Sequence, residues 1–434
     1  MRRAALALSL AVLASAAVGA QPDWRAKALA SFDEAWQTID DTFYDPTFGG
    51  LDWTAVRSEL RPQVEAAPSA EAARDVIREM LARLKRSHFV LLSAESVADT
   101  LPGEAIVPIE VRVGAPGLVV TRVTAGSTAE RAGLRAGDVV LAIDEQTVSA
   151  WEQSAQGADD RARNLDVWRQ AYRLLHGDAG SRATLSVREP DGGERTIVVT
   201  RAAEPGEVVK LGNLPPLHVT VDAREVTSPR GRRVGVIAFN IWMGAVAAPV
   251  ADAVDKYRHD VALVIDLRGN PGGLAAMITG IAGHVLAEPE LLGKIQTRQT
   301  QLHFNANPQL STADGRRVTP FAGPVAILVD ELSASATECF AGALQSLQRV
   351  RVFGRQTMGQ ALPASTKLLA NGDVLMYALG DFVTSTGRRL EGEGVVPDEV
   401  QPLSIDALAS GHDLPLEAAL AWIDTRAGGV VAKR

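Results

Sequence analysis

The sequence predicts an α/β core in the second half of the chain, preceded by a helical region and a β-rich region. Two apolar runs, 262–266 and 324–330, are typical of buried strands; a glycine-rich loop follows the first and a helix pattern the second. Residues 24 to about 98 carry apolar side chains at helical spacing. Short strands separated by glycine turns prevail between 104 and 203. Together these patterns predict a mixed architecture of several domains.

Length and composition predict large apolar cores and argue against nucleic-acid binding and a zinc site. The chain has 434 residues, of which 46% are hydrophobic and 22% charged, enough for two or three domains. Its formal net charge is −8, and it has neither a basic run nor a Cys/His spacing of the zinc type. We therefore expect neither a nucleic-acid partner nor a zinc site.

The first 20 residues predict a secretory signal peptide. Two arginines precede an apolar run from Ala4 to Val18, and Val18-Gly19-Ala20 is a small-residue cleavage site. The run is short for a membrane anchor, which is the alternative, since a span needs about 20 residues. We expect export to a bacterial periplasm or out of the cell, with no stable membrane span after cleavage. The single cysteine, Cys339, excludes an intramolecular disulfide and is expected to be a buried core residue.

The predicted helical region, 21–100, ends in an apolar stretch that contains a histidine. Asp45-Pro46, Gly49-Gly50 and Pro68 divide the region into three helices. His88 then lies beside Ser87 in the stretch 86–92. A lone histidine in such a place has either a structural or a catalytic role, and this stretch alone leaves both open.

The β-rich region, 104–203, contains a clear strand and a clear hairpin. Gly117–Thr124 alternates like a half-buried strand, and Asp191-Gly192-Gly193 predicts a hairpin turn. Residues 151–166 are polar, are expected to be irregular, and suggest no function. Prolines mark 206–222 as a linker to the core.

The core, predicted at 223–410, has two loops that suit acyl-transfer chemistry. The loop after the strand 262–266 contains Gly272-Gly273, whose bare amides suit an oxyanion hole or simply a tight turn. Ser333 and Ser335 lie between the strand 324–330 and a helix, where a serine is either a nucleophile or a helix N-cap. The remaining residues, 411–434, are expected to form a C-terminal helix and tail.

Several motifs carry a resemblance to known families. The run Ala125–Asp144 resembles a bacterial PDZ domain, which binds extended peptides at a sheet edge, with a carboxylate-binding loop expected near 113–117. The whole mature chain resembles the C-terminal-processing (tail-specific) serine peptidases, which include the catalytic core of the tricorn protease. The matching segments, in chain order, are Asp266–Gly273, Ser333–Leu344 and Glu391–Asp398. This resemblance implies a peptidase core of the tail-specific, crotonase-like type.

The resemblance also implies site residues. It assigns the nucleophile to Ser335, and where many relatives have a lysine as base this chain has Gln360, which cannot accept a proton. The tricorn-like branch uses a histidine instead, and the matching positions here are Ser87-His88 and Glu391. His88 would then be the general base, with Ser87 and Glu391 holding its ring. The remaining assignments are Gly272 and Ala336 as oxyanion donors, and Gln360 and Gly273 as candidate substrate contacts.

The sequence thus predicts an exported serine endopeptidase that needs no cofactor or metal. Its substrates would be polypeptides, whose C-terminal ends the PDZ domain binds or gates. Two other classes of function remain open. The missing lysine is compatible with an inactive peptide-binding scaffold, and acyl transfer to serine is equally compatible with hydrolysis of non-peptide esters.

Overall fold

The computed structural model describes residues 24–93, 105–157, 159–210, 216–312 and 314–426. The predicted signal peptide, 1–20, and the end of the predicted C-terminal tail lie outside these ranges. No helix within them is both long and apolar enough to cross a membrane. The described chain forms a helical N-terminal region, a PDZ-like domain (residues 105–203) and an α/β core.

Over residues 24–93, the N-terminal region forms three helices and one short strand. Asp52 and Ser69 start the second and third helices, because their side chains accept hydrogen bonds from the N–H groups of Ala55 and Ala72. Apolar faces of the helices pack into one core that also includes Leu375 from the second half of the chain. The elements are α1 (Trp24–Thr42), a 3₁₀ turn (Phe48–Gly50), α2 (Trp53–Ala66), α3 (Ala70–Ala82) and β1 (Val90–Leu92).

The PDZ-like domain is built on an antiparallel sheet in the order β3-β4-β5-β8-β9, with β6 on β5. Among the described residues, β3 pairs only with β4 and is therefore an edge strand. The elements are β2 (Ala105–Ile106), β3 (Ile109–Gly114), β4 (Gly117–Val123), α4 (Thr128–Arg131), β5 (Val139–Ile143), β6 (Gln146–Thr147), α5 (Val148–Ser154), α6 (Asp160–Leu175), β7 (His176–Gly177), β8 (Arg182–Arg188), β9 (Glu194–Thr200) and β10 (Ala202–Ala203).

Three segments differ from the sequence prediction. The segment 151–166 is not irregular, because it contains the end of α5 and the first turns of α6. The segment 113–117, where a carboxylate-binding loop is expected, is the tight turn of the β3–β4 hairpin, with Gly114 opposite Gly117. The predicted linker, 206–222, contains regular structure, because β11 (Glu207–Val209) pairs with β12 (Leu217–Val219).

The α/β core is a six-stranded sheet in the order β13-β14-β15-β18-β19-β23, in which β13 is antiparallel to the rest. Its elements are β13 (Val221–Thr227), β14 (Arg233–Phe239), a 3₁₀ turn (Gly244–Val246), α7 (Ala247–Lys256), β15 (Ala262–Asp266), α8 (Met277–Gly283), β16 (Glu290–Thr297), β17 (Gln301–Ala306), β18 (Val325–Val329), α9 (Ala336–Ser346), β19 (Arg351–Gly354), β20 (Ala364–Leu368), β21 (Val374–Ala378), β22 (Gly380–Thr384), β23 (Glu399–Val400), α10 (Ile405–Ala409) and α11 (Leu414–Arg426).

Two features of this core assemble the site. The parallel neighbours β15 and β18 end at the same edge of the sheet, so the glycine loop after β15 and the serine turn after β18 lie side by side. The strand β1 pairs with β21, Leu91 opposite Leu375, and so joins the end of the N-terminal region to the core. His88 lies two residues before this strand.

Candidate active site

The turn that carries Ser335 connects β18 to α9 and is held in an unusual backbone conformation. Ser335 has φ 55° and ψ −119°, in the region that L-residues rarely adopt. It is also the one residue between Leu332 and Leu344 that is not buried. Its N–H donates to the Gln360 carbonyl at 2.9 Å, which fixes the turn against the segment 356–361. The conformation therefore presents one serine at the surface of an otherwise buried segment.

Glu338 organises the surroundings of this turn from inside α9. Its side chain is fully buried and accepts hydrogen bonds from the N–H groups of Ser335, Gly359 and Gln360 and from the Thr357 hydroxyl, at 2.5–3.0 Å. Burial raises the pKa of this carboxyl to about 7, although the hydrogen bonds act to lower it. The sequence motif suggested no role for Glu338. Its spacing of Ser-x-x-Glu, the pattern of a capping box, is the signal that points to it.

The glycine loop contacts the serine turn closely. A methyl group on Gly272 would lie 2.6 Å from the Ser335 Cβ atom and 3.0 Å from the Ala336 nitrogen, so only glycine fits there. However, the Gly272 N–H already donates to the Asn270 side chain at 3.0 Å, which contradicts its predicted use as a free oxyanion donor. Within the described ranges, the N–H groups of Gly273 and Ala336 make no hydrogen bond. These two amides, one from the glycine loop and one from the start of α9, are therefore free to bind another acceptor.

His88, Ser87 and Glu391 form a continuous chain of hydrogen bonds. The His88 Nδ1 atom lies 2.7 Å from the Ser87 hydroxyl, which lies 2.9 Å from Glu391 Oε2. The Ser87 N–H donates to the other carboxylate oxygen at 2.9 Å. Residues 304 positions apart are thereby joined, as the resemblance implied.

The arrangement determines which ring nitrogen of His88 carries the proton. An ionised carboxylate only accepts, so the Ser87 hydroxyl donates its one proton to Glu391 and its oxygen accepts from the ring Nδ1–H. Nε2 then has a free lone pair, as a general base requires. Burial lowers the pKa of His88 to about 4, so the ring is neutral at physiological pH. Burial likewise raises the pKa of Glu391, and the hydrogen bonds from Ser87 oppose that shift.

The nucleophile turn and the histidine chain meet at two consecutive residues. The Gln360 carbonyl accepts the Ser335 N–H, and the Ala361 N–H donates to Glu391 Oε2 at 3.0 Å. Among the described residues, no hydrogen bond joins the Ser335 hydroxyl to the His88 ring directly. Such bonds are often long before substrate binds, and they tighten in the complex.

Gln360 contributes to the site through its main chain. Its N–H and carbonyl bond Glu338 and Ser335, whereas its side chain makes no hydrogen bond within the described part of the chain. The nearest downstream lysine does not replace the missing base. Lys367 Nζ donates to the Thr38 hydroxyl in α1, at 2.9 Å. Lys367 is therefore occupied elsewhere, and the assignment of His88 as the base for Ser335 stays a prediction.

A cavity of about 330 Å³ lies between the PDZ-like domain and the core, but its charges are already paired. Arg112 of β3 bonds Asp330 at 2.6 Å, and Arg268 bonds Asp266 at 2.6 Å. Ser335 is not among the residues that line it. In the described ranges, no group of three or more His, Cys, Asp or Glu side chains is arranged to hold a metal.

The chain matches known families and proteins. Three families match the chain: peptidase family S41 at residues 233–401, the tricorn protease C1 domain at 25–82, and a PDZ domain at 119–169. A carboxyl-terminal-processing protease of Synechocystis sp. is 29% identical over 447 residues, which cover 98% of this chain and 93% of that protein. The chloroplastic carboxyl-terminal-processing peptidase 2 of Arabidopsis thaliana is 27% identical, covering 86% of this chain and 68% of that protein.

Two solved structures illustrate the shared fold. The photosystem II D1 C-terminal processing protease aligns with a TM-score of 0.57 and 23% identity, covering 88% of this chain and 96% of that one. Mature CPAF aligns with a TM-score of 0.64 and 14% identity, covering 94% and 99%. At these identities the likeness shows a shared fold alone.

Proposed function

We propose that this chain, which belongs to peptidase family S41, hydrolyses peptide bonds through an acyl-enzyme on Ser335, with His88 as general base. The chain is a serine-type peptidase with a PDZ domain, of the C-terminal-processing type. The observation that supports the residue assignment most strongly is the hydrogen-bond chain from His88 through Ser87 to Glu391. It leaves the Nε2 lone pair free for the proton of the serine.

In the proposed mechanism the Ser335 hydroxyl attacks the scissile carbonyl while His88 Nε2 takes its proton. The amides of Ala336 and Gly273 stabilise the oxyanion, a contribution worth about 10²–10³-fold for each donor. Ser87 and Glu391 stabilise the imidazolium that forms. His88 then donates the proton to the leaving amine, the C–N bond breaks, and the acyl-enzyme remains. A water molecule, deprotonated by His88, releases the acyl group.

The test is labelling of the purified protein with a fluorophosphonate probe, which reacts with activated serines. We expect labelling of wild type and none of Ser335→Ala, because the nucleophile is lost. His88→Ala should react at least about 10²-fold more slowly, the contribution of a general base. Gln360→Ala should stay within about threefold of wild type, because its contacts are main-chain contacts. Folded wild type without Ser335-dependent labelling would contradict the proposal and favour the inactive scaffold.

Turnover separates a peptidase from an esterase. The same preparation is offered a tailed peptide and a small p-nitrophenyl ester, and Ser335-dependent hydrolysis of both is expected. Hydrolysis of the ester alone would favour the non-peptide hydrolase. A free sheet edge supports the proposed binding of polypeptide ends at the PDZ domain, because β3 pairs on one side only within the described residues.

We also propose that the protein is exported, to a bacterial periplasm or out of the cell. Support comes from the charged start, the apolar run and the small-residue site at Val18-Gly19-Ala20. N-terminal sequencing of the protein from a secreting bacterial host should give Gln21 as the first residue. An intact Met1 in the cytoplasmic fraction would contradict export.

A further inference from the structure

The two free amides beside Ser335 belong to different segments of the chain. The Gly273 N–H lies in the glycine loop after β15, and the Ala336 N–H begins α9 after β18. An oxyanion hole needs both donors within about 3 Å of one point, the place that the developing negative charge will occupy. The position of one segment relative to the other therefore decides whether the two amides can act together.

The hydroxyl of Thr337 joins both of these segments to a third. Thr337 follows Ala336 in α9 and has no exposed surface. Its Oγ1 atom lies 3.0 Å from the side-chain oxygen and 3.1 Å from the carbonyl oxygen of Asn270, in the glycine loop. The Trp242 indole N–H, from the loop after β14, donates to the same Oγ1 atom at 2.8 Å. The loops after three neighbouring parallel strands, β14, β15 and β18, thus meet at one hydroxyl.

The chemistry of these groups fixes the direction of each hydrogen bond. An indole N–H only donates, so the Thr337 oxygen accepts from Trp242, and the one hydroxyl proton is left for Asn270. The side-chain oxygen of Asn270 also accepts the Gly272 N–H at 3.0 Å, while its amide nitrogen donates to the Phe239 carbonyl at 2.8 Å. The network thus has one arrangement of its hydrogen bonds.

Trp242 also holds the glycine loop through its main chain. Its N–H donates to the Gly272 carbonyl at 2.8 Å, and its carbonyl accepts the Leu274 N–H at 2.7 Å. Gly273 lies between these two bonds with φ 132°, and a methyl group there would overlap the Trp242 carbonyl. The free Gly273 N–H is therefore flanked on both sides by bonds to the residue whose indole reaches Thr337.

We propose that Thr337 is a positioning residue that sets the two oxyanion donors, the amides of Gly273 and Ala336, at the spacing that the oxyanion needs. This inference rests on the proposed function. The hydroxyl fixes the start of α9 against the glycine loop directly through Asn270, and indirectly through Trp242. Because Thr337 has no exposed surface, bulk water does not take over these bonds when the hydroxyl is removed.

The test compares Thr337→Val, which keeps the shape of the side chain but removes the hydroxyl, with Thr337→Ser, which restores it. The readouts are kcat and KM on a peptide that wild type hydrolyses, and the melting temperature. We expect kcat of Thr337→Val to fall about 10- to 100-fold, the effect of misplacing a catalytic group by about 1 Å, with KM changed by less than about threefold. Thr337→Ser should recover most of the lost activity.

The matched control is Ser228→Ala. The Ser228 hydroxyl is also buried and donates to Asp424 at 2.7 Å, but it lies in the turn before β14, at the end of the sheet opposite the site. Its removal should lower the melting temperature, as the loss of a buried hydrogen bond does. The kcat of Ser228→Ala should stay within about twofold of wild type, because the hydroxyl does not contact the loops of the site.

A pair of inhibitors separates the oxyanion hole from the rest of the site. A peptide aldehyde forms a hemiacetal with Ser335, and its former carbonyl oxygen then lies where the oxyanion of the reaction lies. The matching peptide alcohol has no carbonyl there and reports ground-state binding alone. In Thr337→Val the inhibition constant of the aldehyde should rise by the factor by which kcat/KM falls, whereas that of the alcohol should rise less than about twofold.

Several outcomes would overturn the inference. A folded Thr337→Val with the kcat of wild type is one, and equal weakening of the aldehyde and the alcohol, which indicates a general distortion of the site, is another. If Thr337→Val does not fold, Trp242→Phe decides, because it removes the donor at the other end of the same bond. It should weaken the aldehyde about 3- to 10-fold and spare the alcohol, and an unchanged aldehyde would overturn the inference.

Loss of folding in both Thr337→Val and Trp242→Phe would assign the hydroxyl a structural role and overturn the inference too. The failure of the proposed function gives a different result. Wild type that shows no Ser335-dependent labelling by the fluorophosphonate probe would refute the proposed function itself.

Discussion

The two halves of the site differ in how they are built. The nucleophile half lies deep in the α/β core, where Ser333 and Glu338 have no exposed surface and their side chains are hydrogen-bonded within the turn. The histidine half lies at the end of the N-terminal region, where Ser87 and His88 are only partly buried and Val90 is 38% exposed. It is attached to the core by the bonds to Glu391, by the short pairing of β1 with β21 and by the buried ion pair of Arg74 with Asp373, among other contacts.

The nucleophile half is therefore formed by the α/β core alone. The histidine half is completed only when the N-terminal helices pack on the core. The core would hold Ser335 in its turn regardless of the N-terminal helices, whose apolar residues form a separate cluster. His88 reaches the site only if that cluster packs on β21. Substitutions in the nucleophile half should therefore reduce both stability and activity, whereas those in the histidine half should reduce activity alone.

The largest effect is expected for Glu338→Ala. The substitution leaves the N–H groups of Gly359 and Gln360 and the Thr357 hydroxyl without an acceptor, and each such group costs about 1–3 kcal/mol, whereas the Ser335 N–H keeps its bond to the Gln360 carbonyl. Urea unfolding should show a loss of about 3 kcal/mol or more, and labelling at Ser335 should fall at least about 10²-fold. Glu393→Ala, which removes an exposed carboxylate, is the control. If Glu338→Ala were as stable as wild type, the nucleophile half would not differ from the histidine half in its contribution to stability.

A smaller and purely catalytic effect is expected for Glu391→Gln. A glutamine has one acceptor oxygen in place of two, so it cannot serve the Ser87 N–H at one position together with the Ser87 hydroxyl and the Ala361 N–H at the other, and the His88 ring loses its fixed tautomer. Labelling should slow about 10²-fold, while the urea midpoint should move by less than the equivalent of about 1 kcal/mol. Glu393→Gln serves as the matched exposed control. Equal losses of stability in Glu391→Gln and Glu338→Ala would contradict the comparison.

The smallest expected effect is that kcat/KM falls at a lower pH than an ordinary histidine base would give. Burial lowers the pKa of His88 from 6.5 to about 4, so kcat/KM should fall only as the pH drops through about 4. The measurement is a pH profile with a peptide that lacks ionisable groups near the scissile bond. An acid limb at about 6.5 would show that His88 is solvated as in a free peptide.

The contributions of His88 and Glu338 to the free energy of unfolding should also change with pH in opposite directions. The unfolded chain protonates His88 at a higher pH than the folded chain does, so this group lowers the free energy of unfolding as the pH falls from 6.5 to about 4. The pKa of Glu338 is about 7 in the folded chain, against 4.5 for an ordinary glutamate, so this group lowers the free energy of unfolding as the pH rises through that window. Comparing the pH dependence of unfolding in His88→Ala and Glu338→Gln separates the two contributions.

The sequence predicted the parts of the site that depend on local patterns. The strands 262–266 and 324–330 followed from their apolar runs, and the family and fold class followed from motifs in chain order; the family matches confirm both. Other parts depend on long-range packing. Nothing local indicates that a three-residue strand at 90–92 pairs with β21, or that the side chain of Asn270 occupies the Gly272 amide. The polar residues of 151–166 likewise did not indicate α6, which begins at Asp160 and has two buried faces.

Cys339 lies one helical turn beyond Ser335 and is 3% exposed, in agreement with its prediction as a core residue. Burial raises the pKa of its thiol well above the ordinary value, so alkylating reagents meet an unreactive group in the native state. Because it is the only cysteine in the chain, any alkylation records an opening of the segment that contains the nucleophile. The alkylation rate of Cys339 therefore measures how often the helix that follows Ser335 opens, and the measurement needs no added label.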